Sequence, residues 1–194
     1  MDNKLNNLAF IDGQNVHLGT KQNNWKIEHR KFRTYLKDKY HVAEAYYFFG
    51  YVMDELEELY NNLQKAEFIV VFKEHSANLK AQKKGNVDTD LVFEIMKNFV
   101  DNEDKFDKIV LVSGDGDYKK LIDYLIKKDR LRKILFPNKD FASSLYKKLG
   151  SEFFDYLDSP GIKSKIEYKQ KELLRNKSVR ISFCLKTLIL YLCF

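Results

Sequence analysis

The sequence predicts an α/β fold in which helices cover both faces of a mainly parallel sheet. Short apolar runs of strand length alternate along the chain with longer stretches of helical periodicity. Such alternation is typical of right-handed crossover units, which produce parallel strands. A chain of 194 residues, of which 44% are hydrophobic, is long enough to form one well-packed domain.

Five apolar runs, rich in β-branched and aromatic residues, are predicted to form the strands of this sheet. Each run has the length of a strand and is bounded by Gly, Asp or Pro, which are common where strands end. The predicted strands cover residues 8–12, 43–50, 67–73, 108–114 and 132–137.

The stretches between these runs predict five helices, at residues 27–40, 53–66, 87–100, 117–128 and 141–149. In the helix predicted at 87–100, apolar residues recur at steps of three and four, which places them on one face. We expect that face to pack against the sheet.

Charge divides the chain into a predicted domain at residues 1–160 and a tail at residues 161–194. The whole chain carries a formal charge of +6, and the tail accounts for all of it with eight Lys or Arg residues against two Glu. Both cysteines, Cys184 and Cys193, lie in the tail, so the domain has neither a disulfide nor a cysteine-based zinc site. The basic excess therefore belongs to the tail rather than to the domain.

The two ends of the chain favour a cytoplasmic protein and argue against a membrane anchor. The first ten residues are rich in acidic and amide side chains and lack the extended apolar segment of a secretory signal. Arg180 and Lys186 interrupt the apolar C-terminal residues, which leaves a run shorter than the roughly 20 residues that span a membrane. Richness in Lys, Asn, Ile, Phe and Tyr suggests the AT-rich genome of a bacterium.

Acidic residues from three distant segments are predicted to meet at the carboxyl edge of the sheet, where open α/β sheets bind ligands. Asp12 ends the first predicted strand. Asp88 opens the third predicted helix, and Asp115 and Asp117 follow the fourth strand. Carboxylates that lie close together repel one another unless a cation lies between them, and Mg²⁺ or Mn²⁺ takes oxygen ligands. The pattern therefore predicts a divalent-metal site suited to phosphodiester hydrolysis.

Each of these residues also has a simpler structural interpretation. Asp12 precedes a glycine and is compatible with a turn. Asp88 suits the acidic first turn of a helix, and Asp117 suits the N-cap of the fourth helix. Asp90, beside Asp88, is expected to be solvated rather than a ligand. We favour the metal site because the separate structural interpretations do not explain why these residues coincide at one edge.

Three motifs resemble those of the NYN domain family, which belongs to the wider PIN-like ribonuclease fold. They are "FIDGQN" at the first strand, "KGNVDTDLVFEIM" at the third helix and "VLVSGDGDYKKLIDYL" at the fourth strand. The LabA-like bacterial branch of the family fits these motifs best. The resemblance implies a PIN-like Rossmannoid three-layer sandwich with a mainly parallel central sheet.

The resemblance also implies a divalent-metal site built from the acidic residues of these motifs. Carried onto this chain, the expected metal ligands and catalytic acids are Asp12, Asp88, Asp115 and Asp117. Asn15 matches the asparagine of the first motif and completes the expected catalytic set. Tyr118 stands where the family usually has Phe, and Glu94 stands where relatives often carry Asp.

The leading hypothesis is a ribonuclease that uses Mg²⁺ or Mn²⁺ and acts on single-stranded or structured RNA. Lysines of the loop before the third helix and of the fourth helix are expected to hold the phosphate backbone. These RNA-binding candidates are Lys80, Lys83, Lys84, Lys119 and Lys120. The acidic edge has no glycine loop of Walker or Rossmann spacing nearby, so no nucleotide cofactor is expected. PIN-like domains often pair, so the resemblance also allows a homodimer.

Two alternative functions remain open from the sequence. A non-catalytic RNA-binding or regulatory module is compatible with the same fold, because fold does not fix function. Independently of this choice, the simplest structural interpretation of Lys119 and Lys120 is a solvated helix face. A phosphatase of the haloacid-dehalogenase type is disfavoured, because such enzymes need a second Asp two residues after the nucleophilic Asp. This chain has Gln14 at that position.

Overall fold

A computed structural model describes residues 6–73 and 87–169, and within these ranges it contains one six-stranded sheet in which all neighbouring strands are parallel. The strands are β1 (Asn7–Asp12), β2 (Val42–Phe49), β3 (Ile69–Phe72), β4 (Ile109–Val112), β5 (Leu131–Phe136) and β6 (Phe154–Tyr156). They lie in the order β3-β2-β1-β4-β5-β6. The predicted α/β class and parallel sheet are confirmed. The sequence did not predict β6, a strand of only three residues at one edge.

Six α-helices accompany the sheet in the described ranges. They are α1 (Gly13–Gln22), α2 (His29–Tyr40), α3 (Glu57–Lys65), α4 (Asp88–Asp101), α5 (Lys119–Lys127) and α6 (Pro160–Ile166). The helices α2 to α5 correspond to the first four predicted helices.

The helix α1 was not predicted, because its sequence GQNVHLGTKQ mixes polar and small residues without a clear apolar period. A local cap and one close tertiary contact accompany this helix in place of an apolar period. The side chain of Asp12 caps its first turn. Gly19 lies so close to Pro137 that an added Cβ would come within 2.4 Å of the proline Cβ.

The prediction of a helix at residues 141–149 is wrong, because this segment forms only a single 3₁₀ turn, Ser144–Tyr146. The hydroxyl of Ser143 accepts a hydrogen bond from the backbone N–H of Leu145 at 3.3 Å. Such local bonds from serine to the backbone favour turns over continued helix. A second 3₁₀ turn, Ser151–Phe153, then leads directly into β6.

The sheet is the middle of three layers, and the alternation of side chains along β1 shows how the layers are divided. Ala9 and Ile11 pack in one core cluster with the helices α1, α2, α3 and α6. Leu8 and Phe10 pack in the other cluster with α4 and α5. Since side chains alternate across a strand, Asp12 continues the series of Leu8 and Phe10 and faces the α4 side.

The strand order places β1 between β2 and β4, which creates a switch point at the middle of the sheet. The chain runs outward from β1 through β2 to β3, then crosses through α4 to β4 on the other side of β1. Ile11 is paired with Val112, so Asp12 and Ser113 are the next residues at the carboxyl ends of these two strands. Ligands of open α/β sheets bind in the crevice at such a point.

Residues 161–169 pack against the domain, so the predicted boundary at residue 160 falls before the last packed residues. Ile166 at the end of α6 is fully buried in the cluster that contains α2. The backbone N–H of Glu28 donates to the Ile166 carbonyl at 2.8 Å, and the N–H of Tyr168 donates to the Lys26 carbonyl at 2.9 Å. This helix therefore belongs to the folded unit.

Some predictions concern residues outside the described ranges. They are the loop lysines Lys80, Lys83 and Lys84 and the apolar end of the tail. Across residues 6–73 and 87–169, none of the helices combines the length and the apolar character needed to cross a bilayer.

We expect the substitution Ile166→Ala to lower the free energy of unfolding by about 2–4 kcal/mol, because it leaves a cavity where a fully buried side chain packs beneath α6. The matched control is Ser164→Ala, an exposed position on the same helix, which should change stability by less than about 0.5 kcal/mol. Urea denaturation followed by circular dichroism measures both values. Equal stabilities for the two variants would contradict the packing of α6 described above.

Candidate active site

The side chain of Asp12 stabilises the start of α1 and lies almost entirely inside the protein. Its Oδ1 atom accepts a hydrogen bond of 3.0 Å from the backbone N–H of Asn15. Its Oδ2 atom lies 3.5 Å from the Ser113 hydroxyl and 3.4 Å from the Tyr118 hydroxyl. Asp12 is only 4% exposed. The structural interpretation of Asp12 as a simple turn residue is therefore wrong, because it is a helix cap.

Burial raises the pKa of Asp12 from its ordinary value of 3.8 to about 6. The hydrogen bond from Asn15 lowers this pKa, the neighbouring charges of Asp88 and Asp115 raise it, and the hydrogen bond from Tyr118 lowers it. The ionised form of Asp12 is costly because water is excluded and two further carboxylates are close. A positive charge at this edge would reverse part of that cost.

The loop that follows β4 is held by side chains of α1 and of the loop itself. The backbone N–H of Gly114 donates to the Asn15 side-chain oxygen at 2.8 Å. The N–H of Asp115 donates to the Ser113 hydroxyl at 3.1 Å, and the N–H of Asp117 donates to Oδ1 of Asp115 at 3.0 Å. Asp115, and not Asp117, therefore caps the turn that leads into α5.

Gly114 is required at its position by the packing of the protein on itself. A Cβ built on this residue would lie 2.2 Å from the carbonyl oxygen of Phe141. The carbonyl of Gly114 accepts a hydrogen bond of 2.9 Å from the N–H of Ser143. The segment after β5 thus braces the loop that carries the acidic residues.

Three carboxylates converge beside this loop. Asp88 in the first turn of α4, Asp115 and Asp117 each offer one oxygen atom, and these atoms lie within 4.8 Å of one another. Asp88 and Asp115 are half-buried and Asp117 is exposed, so the group lies at the protein surface. Asp12 lies beside the group and interacts with it electrostatically, but it is not a member.

The hydroxyl of Tyr118 joins two of the acidic segments, a role that the sequence did not reveal. The tyrosine is fully buried in the cluster beneath α4 and α5. Its O–H donates to Oδ1 of Asp88 at 2.6 Å and lies 3.4 Å from Oδ2 of Asp12. Burial, followed by the charge of Asp12, raises the pKa of Tyr118, so the hydroxyl keeps its proton. The only available signal was the departure from the Phe that the family usually has.

Two further acidic residues of α4 lie outside the group. Glu94 is 3.7 Å from Lys97 and also contacts the Asn98 side chain, so it belongs to the helix surface. Oδ2 of Asp90 is buried and has no hydrogen-bond partner among the described residues. The expectation that Asp90 is solvated is therefore wrong for this oxygen.

The two described lysines of the predicted RNA-binding set differ in their surroundings. Lys119 forms an ion pair of 2.5 Å with Asp123 one turn further along α5. Lys120 is exposed, which leaves its ammonium group accessible.

The donor set of the group fits a hard divalent cation. All three offered atoms are carboxylate oxygens, and neither His nor Cys takes part. Oxygen donors of this kind suit Mg²⁺, Mn²⁺ or Ca²⁺, whereas zinc and copper sites usually include nitrogen or sulfur. Three negative charges in one place also give such a cation a favourable potential.

Comparisons with known proteins agree with this fold. The NYN domain family model matches residues 8–158. The low amplitude and bright protein LabA of Synechococcus elongatus is 25% identical over 126 residues, which cover 60% of this chain. The match spans 65% of the length of that relative. A crystal structure of a protein of unknown function from Vibrio parahaemolyticus superimposes with a TM-score of 0.66 at 18% identity and covers 87% of this chain and 99% of that chain.

We expect Asp12→Asn to stabilise the metal-free protein at neutral pH. The amide of the variant keeps an oxygen that can cap α1, but it carries no charge. The rise in the pKa of Asp12 means that its ionised form lowers the free energy of unfolding by about 3 kcal/mol at most. Between about pH 4 and about pH 6, Asp12 keeps its proton in the folded wild-type protein but loses it in the unfolded chain. The free energy of unfolding therefore falls as the pH rises through this window. Denaturation in EDTA should therefore show a gain for the variant at about pH 7.5 that disappears at about pH 4. An equal change at both pH values would contradict the burial of this charge.

We expect Tyr118→Phe to lower the free energy of unfolding of the metal-free protein by about 1–2 kcal/mol, because Asp88 loses a charge-assisted hydrogen bond while the ring remains in place. The control is Tyr124→Phe, whose ring is 41% exposed on α5 and should change stability by less than about 0.5 kcal/mol. Denaturation of both variants under the same conditions makes the comparison. A loss no larger than that of the control would show that the hydroxyl does not hold Asp88.

Proposed function

Because the chain belongs to the NYN domain family, we propose that it is a divalent-metal-dependent ribonuclease that hydrolyses phosphodiester bonds of RNA in a bacterial cytoplasm. The observation that carries the proposal is the convergence of Asp88, Asp115 and Asp117 within 4.8 Å at the switch point of the sheet. An arrangement of three like charges is unfavourable for a protein that never binds a cation there.

The carboxylates of Asp88, Asp115 and Asp117 would hold Mg²⁺ or Mn²⁺ in this proposal. A divalent cation, when bound, stabilises the charge that develops on a phosphodiester and helps water to act as a nucleophile. Asp117 is exposed and so faces the side from which a substrate arrives. Asp88 is oriented by the Tyr118 hydroxyl, which donates a hydrogen bond to its Oδ1 atom.

Asp12 and Asn15 act on this group indirectly, Asp12 through its charge and Asn15 through the loop that it holds. Asp12 adds a fourth negative charge next to Asp88 and Asp115, which strengthens the attraction for a cation. With a pKa of about 6, its Oδ2 can also take up a proton close to neutral pH. The side-chain oxygen of Asn15 accepts a hydrogen bond from the Gly114 amide, and Asn15 thereby holds the loop that carries Asp115.

RNA is the proposed substrate because the NYN family is generally RNA-related. A strand that reaches the carboxylates would pass the first turn of α5, where Lys120 is exposed. An ammonium group at this place can neutralise a phosphate next to the one that is cleaved. Lys119 would have to leave Asp123 to take the same role.

A non-catalytic RNA-binding or regulatory module is the second candidate, and one observation favours it. Asp12 uses Oδ1 to cap α1 and lies outside the group of three, although the family resemblance assigns it to the metal site. A protein that needs Asp12 only for folding could keep this residue without turnover.

We expect purified protein to bind Mn²⁺ and to cleave labelled single-stranded RNA only when Mn²⁺ or Mg²⁺ is present. Asp115→Asn should weaken Mn²⁺ binding by more than about 10-fold and abolish cleavage, because it removes one charge and replaces a carboxylate ligand with a neutral amide oxygen. Isothermal titration measures the binding, and gel electrophoresis of the RNA measures the cleavage.

The control is Asp104→Asn, which removes an exposed carboxylate outside the group and should leave both properties unchanged. RNA binding without cleavage under either metal would overturn the nuclease and favour the non-catalytic module. Cleavage that persists in EDTA would overturn the role of the metal.

A further inference from the structure

A surface groove lies between α2 and α6, away from the acidic group. Its volume is about 520 Å³, which is in the range of ligand-binding clefts. Phe32 and Leu36 of α2 and Ile166 of α6 anchor its two walls in one core cluster, whereas Leu91 of α4 packs in the cluster on the other side of the sheet. The groove and the first turn of α4 therefore lie on different faces of the protein.

The groove is lined by four cationic side chains and one carboxylate. Arg30, Lys31 and Lys39 come from α2, Lys165 comes from α6, and Asp38 is the single acid. Within the described ranges, none of these four cations lies within 4.0 Å of a carboxylate oxygen. A concave surface with an excess of one charge concentrates the field and attracts ions of the opposite sign.

Glu28, at the start of α2, does not neutralise the cations of the groove through an ion pair. The Glu28 carboxylate caps α2 and accepts hydrogen bonds from the backbone N–H groups of Arg30 and Lys31, at 3.3 and 2.7 Å. Those bonds hold it against the helix backbone. The cationic tips of Arg30 and Lys31 remain available to an anion.

The spacing of the cations favours an extended anion over a single small one. Arg30 and Lys39 are nine residues apart on a continuous helix, which corresponds to about 13 Å along its axis. Phosphates follow one another at about 3.4 Å along the axis of a nucleic-acid strand in a duplex, so the groove can contact several phosphates of one chain.

The floor of the groove indicates contact with the backbone rather than with bases. Among the described residues that line it, Tyr35 is the one aromatic residue, and it is only 8% exposed because its ring packs in the core against Tyr40. Stacking on a base needs an accessible ring face. Binding in this groove should therefore be insensitive to sequence and steeply dependent on salt.

We propose that the groove between α2 and α6 binds the phosphate backbone of RNA as a second contact surface, separate from the acidic group. This inference rests on the proposed function, because it takes RNA as the substrate. The groove holds a long RNA, while the carboxylates act on a different part of the same strand.

The test compares two double substitutions of equal charge. Lys39→Gln with Lys165→Gln removes one cation from each wall, and Lys127→Gln with Lys128→Gln removes two exposed cations at the end of α5. Fluorescence anisotropy in EDTA, which prevents cleavage, measures the affinity for a single-stranded RNA of about 30 nucleotides at several salt concentrations. The groove variant should bind several-fold more weakly and reduce the slope of log K against log salt by about 1.4, since each contact on a single strand contributes about 0.7.

The α5 variant should retain the affinity and slope of the wild type. Equal losses in the two variants would mean that only net charge matters and would overturn the proposal, as would no loss in the groove variant. Wild-type protein that binds an acidic peptide but no RNA would overturn it as well.

With Mn²⁺, cleavage of an RNA of about four nucleotides, too short to reach the groove, should be unchanged in the groove variant. If the protein binds RNA through the groove but never cleaves it, only the proposed nuclease activity is overturned.

Discussion

The hydrogen bond between the Gly114 amide and the Asn15 side chain joins the end of β4 to the first turn of α1. Asn15 is in place because its own N–H is held by Asp12 at the end of β1. Two neighbouring strands of the central sheet are thus connected beyond their last backbone pairing. The position of Asp115, one residue further along the loop, follows from this connection.

A second connection, through the core, leads from the acidic loop back to Asp12. Tyr118 follows the acidic loop, enters the cluster beneath α4, and reaches both Asp88 and Asp12 with one hydroxyl group. Three segments that are far apart in the chain are therefore fixed relative to one another by side chains that are largely buried. The fold holds like charges at short range with this framework, which is a cost to stability of the kind that functional sites commonly carry.

The central strands and their acidic ends could be predicted because buried parallel strands leave continuous apolar runs, and Asp12 and Asp115 come directly at their ends. The position of Asp88 followed from the periodicity of α4. The capping role of Asp12 could not be predicted, because α1 has no apolar period and forms through tertiary contacts such as Gly19 with Pro137. The hydroxyl of Tyr118 was equally hidden, since an aromatic residue at that position fits the core with or without it.

The double role of Asp12 has a consequence for the evolution of related chains. A descendant that loses catalysis still needs an oxygen at this position to cap α1, so selection for folding alone can preserve Asp or replace it by Asn or Ser. Asp117 differs, because its carboxylate is exposed and makes no hydrogen bond or ion pair with the rest of the described chain. Drift would remove it once a cation is no longer bound. Among relatives, the exposed aspartate is therefore a better marker of retained chemistry than the buried one.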